Sequence, residues 1–194
     1  MFKKHCLGDY EVQVSGGKMK TKKPKLLMAG HTDEIYTPNY ALDPLIPFIK
    51  RNWIIWECAW GQGALATHLK ERGFNVVGHK EDNFLGELVF NEFDCIITNP
   101  PYSKKDKFIE RCFEIGKPFA LLMPLTALEG IKRGSLFKKY GLQLIVPNRR
   151  INFITPNGGK SSWFATAWFC FGLNLPKDLM FVELNNKFKS REGK

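Results

Sequence analysis

Apolar residues occur along this chain either in short runs or at helical spacing. Short apolar runs predict buried strands, and apolar residues three or four positions apart predict amphipathic helices. The predicted strands comprise residues 53–59, 74–79, 93–98 and 119–125, and residues 142–147 begin a last, β-rich section. The predicted helices comprise residues 41–51, 64–73, 105–116 and 129–141. Because strands and helices alternate, the pattern favours an α/β fold with a mostly parallel sheet.

The last section of the chain is rich in aromatic residues. The runs RINFI (150–154) and SSWFATAWFCFGL (161–173) flank the polar turn TPNGGK (155–160). Two β-rich runs joined by a glycine turn are typical of a hairpin. We therefore expect the chain to end in an antiparallel hairpin. Part of the aromatic run alternates and is expected in the core, which leaves the residues beside the turn as candidates for ligand contact.

The composition fits one globular domain. The chain has 194 residues, of which 44% are hydrophobic, enough for a sizeable core. No apolar run reaches the length of a membrane span and no signal-peptide pattern follows Met1, so we expect a cytoplasmic protein without membrane contact. The five cysteines form no CxxC pair, and four of them lie in apolar segments. We therefore expect neither a metal site nor a disulfide.

The formal net charge of +10 is concentrated at the two ends of the chain. Residues 1–30 contain seven lysines and two acidic residues, and residues 187–194 carry a formal charge of +3. We interpret 1–30 as a basic, poorly ordered arm, 31–186 as the folded domain and 187–194 as a basic tail. Such segments bind phosphate backbones or simply remain solvated, and the charge alone does not decide between the two.

A glycine-rich turn, ECAWGQG (57–63), lies between the first predicted strand and a helix. Ligands of parallel α/β sheets lie outside the carboxyl ends of the strands, where glycines such as Gly61 and Gly63 allow close approach. Glu57 can accept hydrogen bonds from a cationic or hydroxylated ligand. The turn lacks the third glycine of the dinucleotide fingerprint, which argues against NAD, and it is no P-loop. By itself, a turn of this kind more often just closes a strand–helix corner.

A second turn, TNPPYS (98–103), carries two consecutive prolines at the end of an apolar run. Proline cannot donate to a sheet ladder, so the strand has to end there. The result is a rigid corner that carries an amide, Asn99, and an aromatic ring, Tyr102. The alternative is a plain β-turn built from favourable residues.

Together, E-x-A-x-G-x-G at 57–63 and NPPY at 99–102 resemble motifs of the S-adenosylmethionine-dependent amino-methyltransferases of nucleic acids, especially the adenine-N6 DNA enzymes. DEIYTPNYALDPLI (33–46) resembles their N-terminal cofactor motif, and RRINFITPNGGKSSWFATAWFCF (149–171) their late hairpin beside the target base. The likeness covers about residues 33–175, in the gamma order of motifs. Since the chain has no room for a large target-recognition domain, it is most similar to the small enzymes of phages and prophages.

The resemblance implies a class I (Rossmann-like) methyltransferase fold. That fold has a mostly parallel seven-stranded sheet with helices on both faces and a C-terminal antiparallel hairpin. The implied cofactor is S-adenosylmethionine, and the implied partner is nucleic acid, with DNA ahead of RNA. The cofactor-binding residues that the resemblance implies are Tyr36, Thr37, Pro38, Glu57, Ala59, Trp60, Gly61, Gly63, Glu81, Asp82 and Asn99.

The resemblance also implies a mechanism for the NPPY corner. The side-chain oxygen of Asn99 and the carbonyl of Pro100 accept the two hydrogens of the adenine amine, and Pro101 helps to hold both acceptors in place. The nitrogen lone pair is then free to attack the sulfonium methyl. Tyr102 stacks on the base after it leaves the duplex. Phe153 is the candidate for the opposite face of the base, and Lys160 for a phosphate contact. Asparagine at the first position points to adenine, because cytosine-N4 enzymes more often begin the motif with serine.

Three features depart from the family pattern. Lys80 is near the place of the acidic residue that binds the ribose hydroxyls, although the adjacent Glu81 can serve with a one-residue shift. The segment that follows is shortened, and Trp60 is bulkier than the residue usual in this turn. These departures leave open a catalytically degenerate binding module. An RNA base or a protein glutamine also remains as acceptor, with RNA ahead because the glutamine enzymes usually carry an extra N-terminal helical domain.

Overall fold

The computed structural model describes residues 35–86, 92–155 and 164–184, together with the backbone of 160–161. The predicted basic arm at 1–30, the predicted tail at 187–194 and the side chain of Lys160 lie outside the described residues. The chain forms nine strands and three α-helices within the described ranges. In chain order these are β1 (Ile54–Trp56), α1 (Ala64–Glu71), β2 (Asn75–Val77), β3 (Cys95–Thr98), α2 (Lys105–Ile115), β4 (Phe119–Pro124), α3 (Ile131–Tyr140), β5 (Gln143–Pro147), β6 (Phe153–Ile154), β7 (Lys160–Ser161), β8 (Thr166–Phe171) and β9 (Leu179–Val182).

Seven of these strands form one mixed sheet in the order β2-β1-β3-β4-β8-β5-β9. Only β8 runs antiparallel to its neighbours β4 and β5, and the other four adjacent pairs are parallel. The predicted α/β class is therefore confirmed, with an antiparallel part near the C-terminal end of the described chain. Because β1, β3 and β4 run in the same direction, their carboxyl ends meet at one edge of the sheet.

The predicted terminal hairpin is divided between two sheets. β6 pairs with β7 in a separate two-stranded sheet, while β8 lies between β4 and β5 in the large one. Five of the six residues of β8 are buried, and a strand of this kind needs partners on both edges and cover on both faces. The central position of β8 provides both. β9 was not predicted from the sequence, and its alternate residues are exposed.

The predicted helix at 41–51 is wrong as an α-helix. The segment forms two short 3-10 turns, Asn39–Leu42 and Ile46–Phe48. Pro44 and Pro47 explain the difference, because proline inside a helix removes a donor and clashes with the preceding turn. The apolar spacing nevertheless serves the core, since Leu42 and Leu45 are fully buried.

The core consists of two clusters, one on each face of the large sheet. On one face, α1 and the 3-10 turns pack on strand residues such as Ile55 and Ile97. On the other face, α2 and the partly buried residues of α3 pack on residues such as Trp56 and Ile96. Helices thus cover both faces, as predicted. Four cysteines are buried as thiols in these clusters: Cys58, Cys95, Cys112 and Cys170. Over the described ranges, no helix is long and apolar enough to cross a membrane.

Candidate functional site

A cavity of about 490 Å³ opens at the sheet edge where β1 and β3 end. This volume lies within the roughly 300–1,000 Å³ typical of small-molecule pockets. Apolar side chains form much of the wall, and its polar residues follow the carboxyl ends of β2 and β3. The wall consists of Ile35, Cys58, Ala59, Trp60, Gly61, Lys80, Asp82, Asn83, Phe84, Leu85, Asn99, Pro101, Lys104 and Phe108.

The glycine turn after β1 forms one side of the cavity. Gly61 has a φ of +53° and lines the wall, and a Cβ added there would approach nothing closer than the Ala59 carbonyl oxygen at 3.9 Å. Its backbone therefore faces open space, which leaves room for a ligand. Gly63 lies under the ring of Trp60, and an added Cβ would come within 2.9 Å of the indole nitrogen. Glycine at 63 thus allows the bulky Trp60 to pack in the turn.

Glu57 lies behind this turn and outside the cavity wall. Its side chain is buried, with 1% of the residue exposed. The carboxyl oxygen Oε1 accepts a hydrogen bond from Thr98 Oγ1 at 2.5 Å and another from the Ala59 backbone N–H at 3.0 Å. Burial raises the pKa of Glu57 to about 8, against the opposing effect of these two hydrogen bonds. The carboxyl group thus joins the end of β1 to the end of β3.

The NPPY corner forms the opposite side of the cavity. β3 ends at Thr98, and Asn99 and Pro101 both contribute to the wall. The Asn99 side-chain oxygen, Oδ1, is buried and has no hydrogen-bond partner among the residues that the structure describes. Buried polar atoms in folded proteins are nearly always hydrogen-bonded. An acceptor left unsatisfied in a cavity wall is therefore available to a ligand.

Three aromatic rings lie near this corner: Tyr102, Phe164 and Phe153. Tyr102 is 8% exposed and meets the ring of Phe164 edge-to-face, with 5.2 Å between centroids. Phe153 is 2% exposed and belongs to the core, 6.3 Å from Phe164. Phe164, which is only partly buried, thus contacts the rings of both Tyr102 and Phe153. Phe164 lies in the aromatic run 161–173, where alternation alone does not single it out.

The N-terminal segment with the Thr-Pro pair lies beside the small β6–β7 sheet. Tyr36 exchanges two backbone hydrogen bonds with Ile154, at 2.8 and 3.0 Å. Thr37 and Pro38 are buried and lie outside the cavity wall, whereas Ile35 is part of it. Of this segment, Ile35 contributes to the cavity wall, and the three predicted residues that follow it, Tyr36, Thr37 and Pro38, do not line it.

The turn after β2 forms the remaining side of the cavity. Asp82 lines the wall, but its carboxylate is already engaged: Oδ2 accepts from the Trp56 indole N–H at 3.3 Å and from the His79 backbone N–H at 3.0 Å. Its Oδ1 lies 3.0 Å from the His79 ring. Glu81 has a side chain that is 91% exposed, outside the wall, and Lys80 lines it instead.

Six of the residues named from the sequence thus line the cavity: Ala59, Trp60, Gly61, Asp82, Asn99 and Pro101. The sequence interpretation missed most of the apolar wall, including Phe84 and Phe108, whose rings stack with centroids 4.8 Å apart. Nothing in the sequence separates such residues from ordinary core, because both are apolar and lie in or beside predicted elements. Lys104 was also missed, although it follows NPPYS directly.

No family model matches the sequence, and no curated protein matches it. Solved structures do match. One is the methyltransferase subunit of a type I restriction-modification system from Streptococcus thermophilus, with 14% identity and a TM-score of 0.54 over 77% of this chain and 47% of that chain. Another is a protein from Listeria monocytogenes named as a class I S-adenosylmethionine-dependent methyltransferase, with 14% identity and a TM-score of 0.51 over 77% of this chain and 65% of that one. The chain thus spans about half of the first neighbour and just under two thirds of the second, and it shares with both their fold.

Proposed function

We propose that this protein is an S-adenosylmethionine-dependent methyltransferase that modifies the exocyclic N6 amine of adenine in DNA. The observation that carries the proposal is the buried Asn99 Oδ1, which no described residue satisfies, in the wall of a ligand-sized cavity. An exocyclic amine offers the hydrogens that such an acceptor lacks. Pro100 and Pro101 fix the corner that holds it, so little reorganisation is needed during the reaction.

The cavity suits the proposed cofactor. Its apolar part, which includes Phe84 and Phe108, fits a planar adenine ring. The Gly61 backbone faces open space, and Lys80 and Lys104 provide positive charge for a carboxylate or for ribose oxygens. When bound, S-adenosylmethionine supplies an electrophilic methyl group. The cofactor roles of Tyr36, Thr37, Pro38, Glu57, Gly63 and Glu81 remain predictions, and these residues would act from behind the wall or from its rim.

The residues of the NPPY corner have separate tasks in this proposal. Asn99 Oδ1 and the Pro100 carbonyl accept the amine hydrogens and orient the lone pair of the nitrogen toward the methyl group. Tyr102, together with Phe164, supplies an aromatic surface for the base once it has left the duplex. Phe153 supports Phe164 from the core, and Lys160 stays a candidate phosphate contact.

Two considerations favour DNA as the substrate. The motif begins with asparagine, which is typical of the adenine enzymes that the sequence resembles. One structural neighbour is, by its name, the methyltransferase subunit of a type I restriction-modification system, which supports DNA as the substrate. An RNA base and a protein glutamine remain as alternative acceptors of the same chemistry.

The proposal is tested by methylation with a labelled methyl donor. Duplex DNA, an unstructured RNA and a glutamine-containing peptide are incubated in parallel with the protein, and nucleosides or amino acids are separated by mass spectrometry. Label in N6-methyladenine supports the proposal. Label only in cytosine, in RNA or in the peptide overturns the assigned substrate. Calorimetric titration with S-adenosylmethionine then separates a degenerate module, which binds the cofactor without turnover, from a chain that lacks the site.

A further inference from the structure

Ile131 is an unusually exposed apolar residue that follows β4, on the side of the sheet where the strands end and the cavity opens. It is 92% exposed, and Leu128 in the same loop is 41% exposed. Scattered apolar residues on a surface need no explanation by themselves. Ile131 differs because of its position, the rigidity of its loop and the charges that surround it.

The position of Ile131 follows from the parallel strands. β1, β3 and β4 all end at the edge where the cavity opens. Residues 125–130 follow β4 at this edge, and α3 begins at Ile131, where the chain reverses its direction. Ile131 therefore lies on the same side of the molecule as Asn99.

Arg133 holds this loop in place. Its side chain is 13% exposed, and Nε donates to the Ala127 carbonyl at 2.7 Å. The guanidinium also donates to the Glu129 carbonyl and forms an ion pair with Asp106. Asp106 belongs to the first turn of α2, which begins three residues after Tyr102. The loop is thus tied to the element that follows the NPPY corner, and the exposure of Ile131 is a fixed feature of the fold.

Exposed lysines neighbour both members of the Arg133–Asp106 ion pair in sequence. Lys104 directly precedes α2, Lys107 follows Asp106 in α2, and Lys132 follows Ile131. Since Asp106 is paired with Arg133, its charge does not offset these lysines. Residues 125–133 contain a single acidic residue, Glu129. The combination is an apolar side chain on a positively charged rim.

We propose that this rim, defined by Lys104, Lys107, Leu128, Ile131 and Lys132, docks on duplex DNA. The proposal rests on the proposed function. The lysines neutralise phosphates, and Ile131 contacts the groove or a base step beside the target nucleotide. A target base has to leave the stack before its amine can reach a pocket of this kind. An apolar side chain that enters the duplex beside the target favours the unstacked state, since it occupies space that a stacked base would fill.

The test measures binding and turnover separately. Fluorescence anisotropy with a labelled duplex, between 50 and 200 mM salt, reports docking without any methyl transfer. Two variants, Ile131→Ser and Lys132→Ala, probe the rim. Their matched controls are Phe181→Ser, at a 75% exposed position on edge strand β9, and Lys138→Ala, in the last turn of α3. Calorimetry with S-adenosylmethionine shows that each variant is folded.

We expect Ile131→Ser to weaken duplex binding about tenfold, equivalent to about 1.4 kcal/mol. Lys132→Ala should lower the slope of log affinity against log salt by about 0.9, as for one lost phosphate contact. The two controls should bind as the parent does. A parent that binds no duplex, or an Ile131→Ser variant indistinguishable from Phe181→Ser, overturns the docking surface. The same variants are titrated with a labelled RNA and a labelled peptide, and a loss confined to either of these overturns the surface in favour of that partner. If Ile131→Ser impairs duplex binding but the parent transfers no methyl group to adenine, the proposed function fails and the docking surface stands.

Discussion

The two turns that form the cavity lie next to each other and use opposite kinds of backbone. β1 and β3 are paired in parallel, so the turns that follow them meet at one edge. The turn after β1 depends on Gly61, which has a positive φ. The space beside its backbone is open to the cavity. The corner after β3 depends on Pro100 and Pro101, and proline fixes φ near −65°. A conformationally free residue therefore lines one side of the cavity, and rigid residues hold the unsatisfied acceptor of Asn99 on the other side.

Glu57 connects the two turns. Its Oε1 accepts hydrogen bonds from the Ala59 N–H in the first turn and from Thr98, the residue before Asn99. Because burial raises the pKa of Glu57 to about 8, the carboxyl group is mostly neutral at pH 7. A neutral carboxyl group joins the turns without placing a buried negative charge behind Asn99. Three features can therefore be perturbed separately: the glycine turn after β1, the NPPY corner after β3 and the hydrogen bond between Glu57 and Thr98.

The largest effect is expected at the rigid corner. Asn99→Ala removes the acceptor that no described residue satisfies, and loss of one preorganised partner costs roughly 100- to 1000-fold in rate. We expect kcat to fall by this amount while the affinity for S-adenosylmethionine changes little, as measured by single-turnover kinetics and calorimetry. Asn148→Ala, at an exposed residue whose side chain bonds the Leu184 backbone, is the control. A near-parental rate for Asn99→Ala contradicts the assigned role.

The next effect concerns the protonation of Glu57. The pKa is raised in the folded state, so this carboxyl group contributes stability that is complete below its usual pKa of 4.5 and is lost as pH rises toward about 8. The slope is at most about 1.4 kcal/mol per pH unit. Glu57→Gln keeps an acceptor and cannot titrate. Urea unfolding at pH 5.5 and 7.5 should therefore show the parent losing roughly 2 kcal/mol more than the variant. Parallel pH profiles rule out a neutral buried carboxyl group.

The same contrast explains how much of this molecule could be predicted from its sequence. The rigid corner was visible because prolines after an apolar run have one physical consequence, the end of the strand. The glycine turn after β1 could be predicted for a similar reason, because its glycines lie between an apolar run and a segment of helical spacing. Both depend on residues whose backbone preferences are local. The α/β class also followed, because the alternation of apolar runs and helical spacing is a local signal.

The features that could not be predicted depend on tertiary contacts. The sequence of β8 suggested a hairpin partner, but its burial on both faces places it between β4 and β5. Phe153 and Phe164 lie in the same aromatic section, and only packing decides that the first is core and the second faces Tyr102. The hydrogen bond between Glu57 and Thr98 joins residues that are 41 positions apart in sequence, a contact that no local pattern indicates.

A moderate effect is expected in the glycine turn. Gly61→Val places a side chain in the open space of the cavity wall, and we expect the affinity for S-adenosylmethionine to fall at least tenfold. Valine is also strained at a positive φ, by about 1–2 kcal/mol. Gly116→Val is the matched control, because Gly116 has a φ of +71° with nothing near an added Cβ and ends α2 away from the cavity. Calorimetric titration of both variants separates the two contributions. Equal affinities for the two variants would remove the cofactor from this turn.

The smallest effect is expected when the hydrogen bond between Thr98 and Glu57 is removed by a side chain of nearly the same volume. Thr98→Val replaces a fully buried hydroxyl with a methyl group, so Glu57 loses its 2.5 Å donor while the packing volume is kept. Loss of one such bond costs about 1 kcal/mol. The hydrogen bond from Thr98 lowers the pKa of Glu57, so the pKa should rise further in the variant and the loss of stability with pH should move to higher pH. Because Thr98 precedes Asn99, we also expect kcat to fall by a few-fold, with the cofactor affinity nearly unchanged. Unfolding profiles and single-turnover rates measured over the same pH series test both expectations. If neither the pH profile nor kcat moved, the two turns would be independent, and the contact between Glu57 and Thr98 would only fill space.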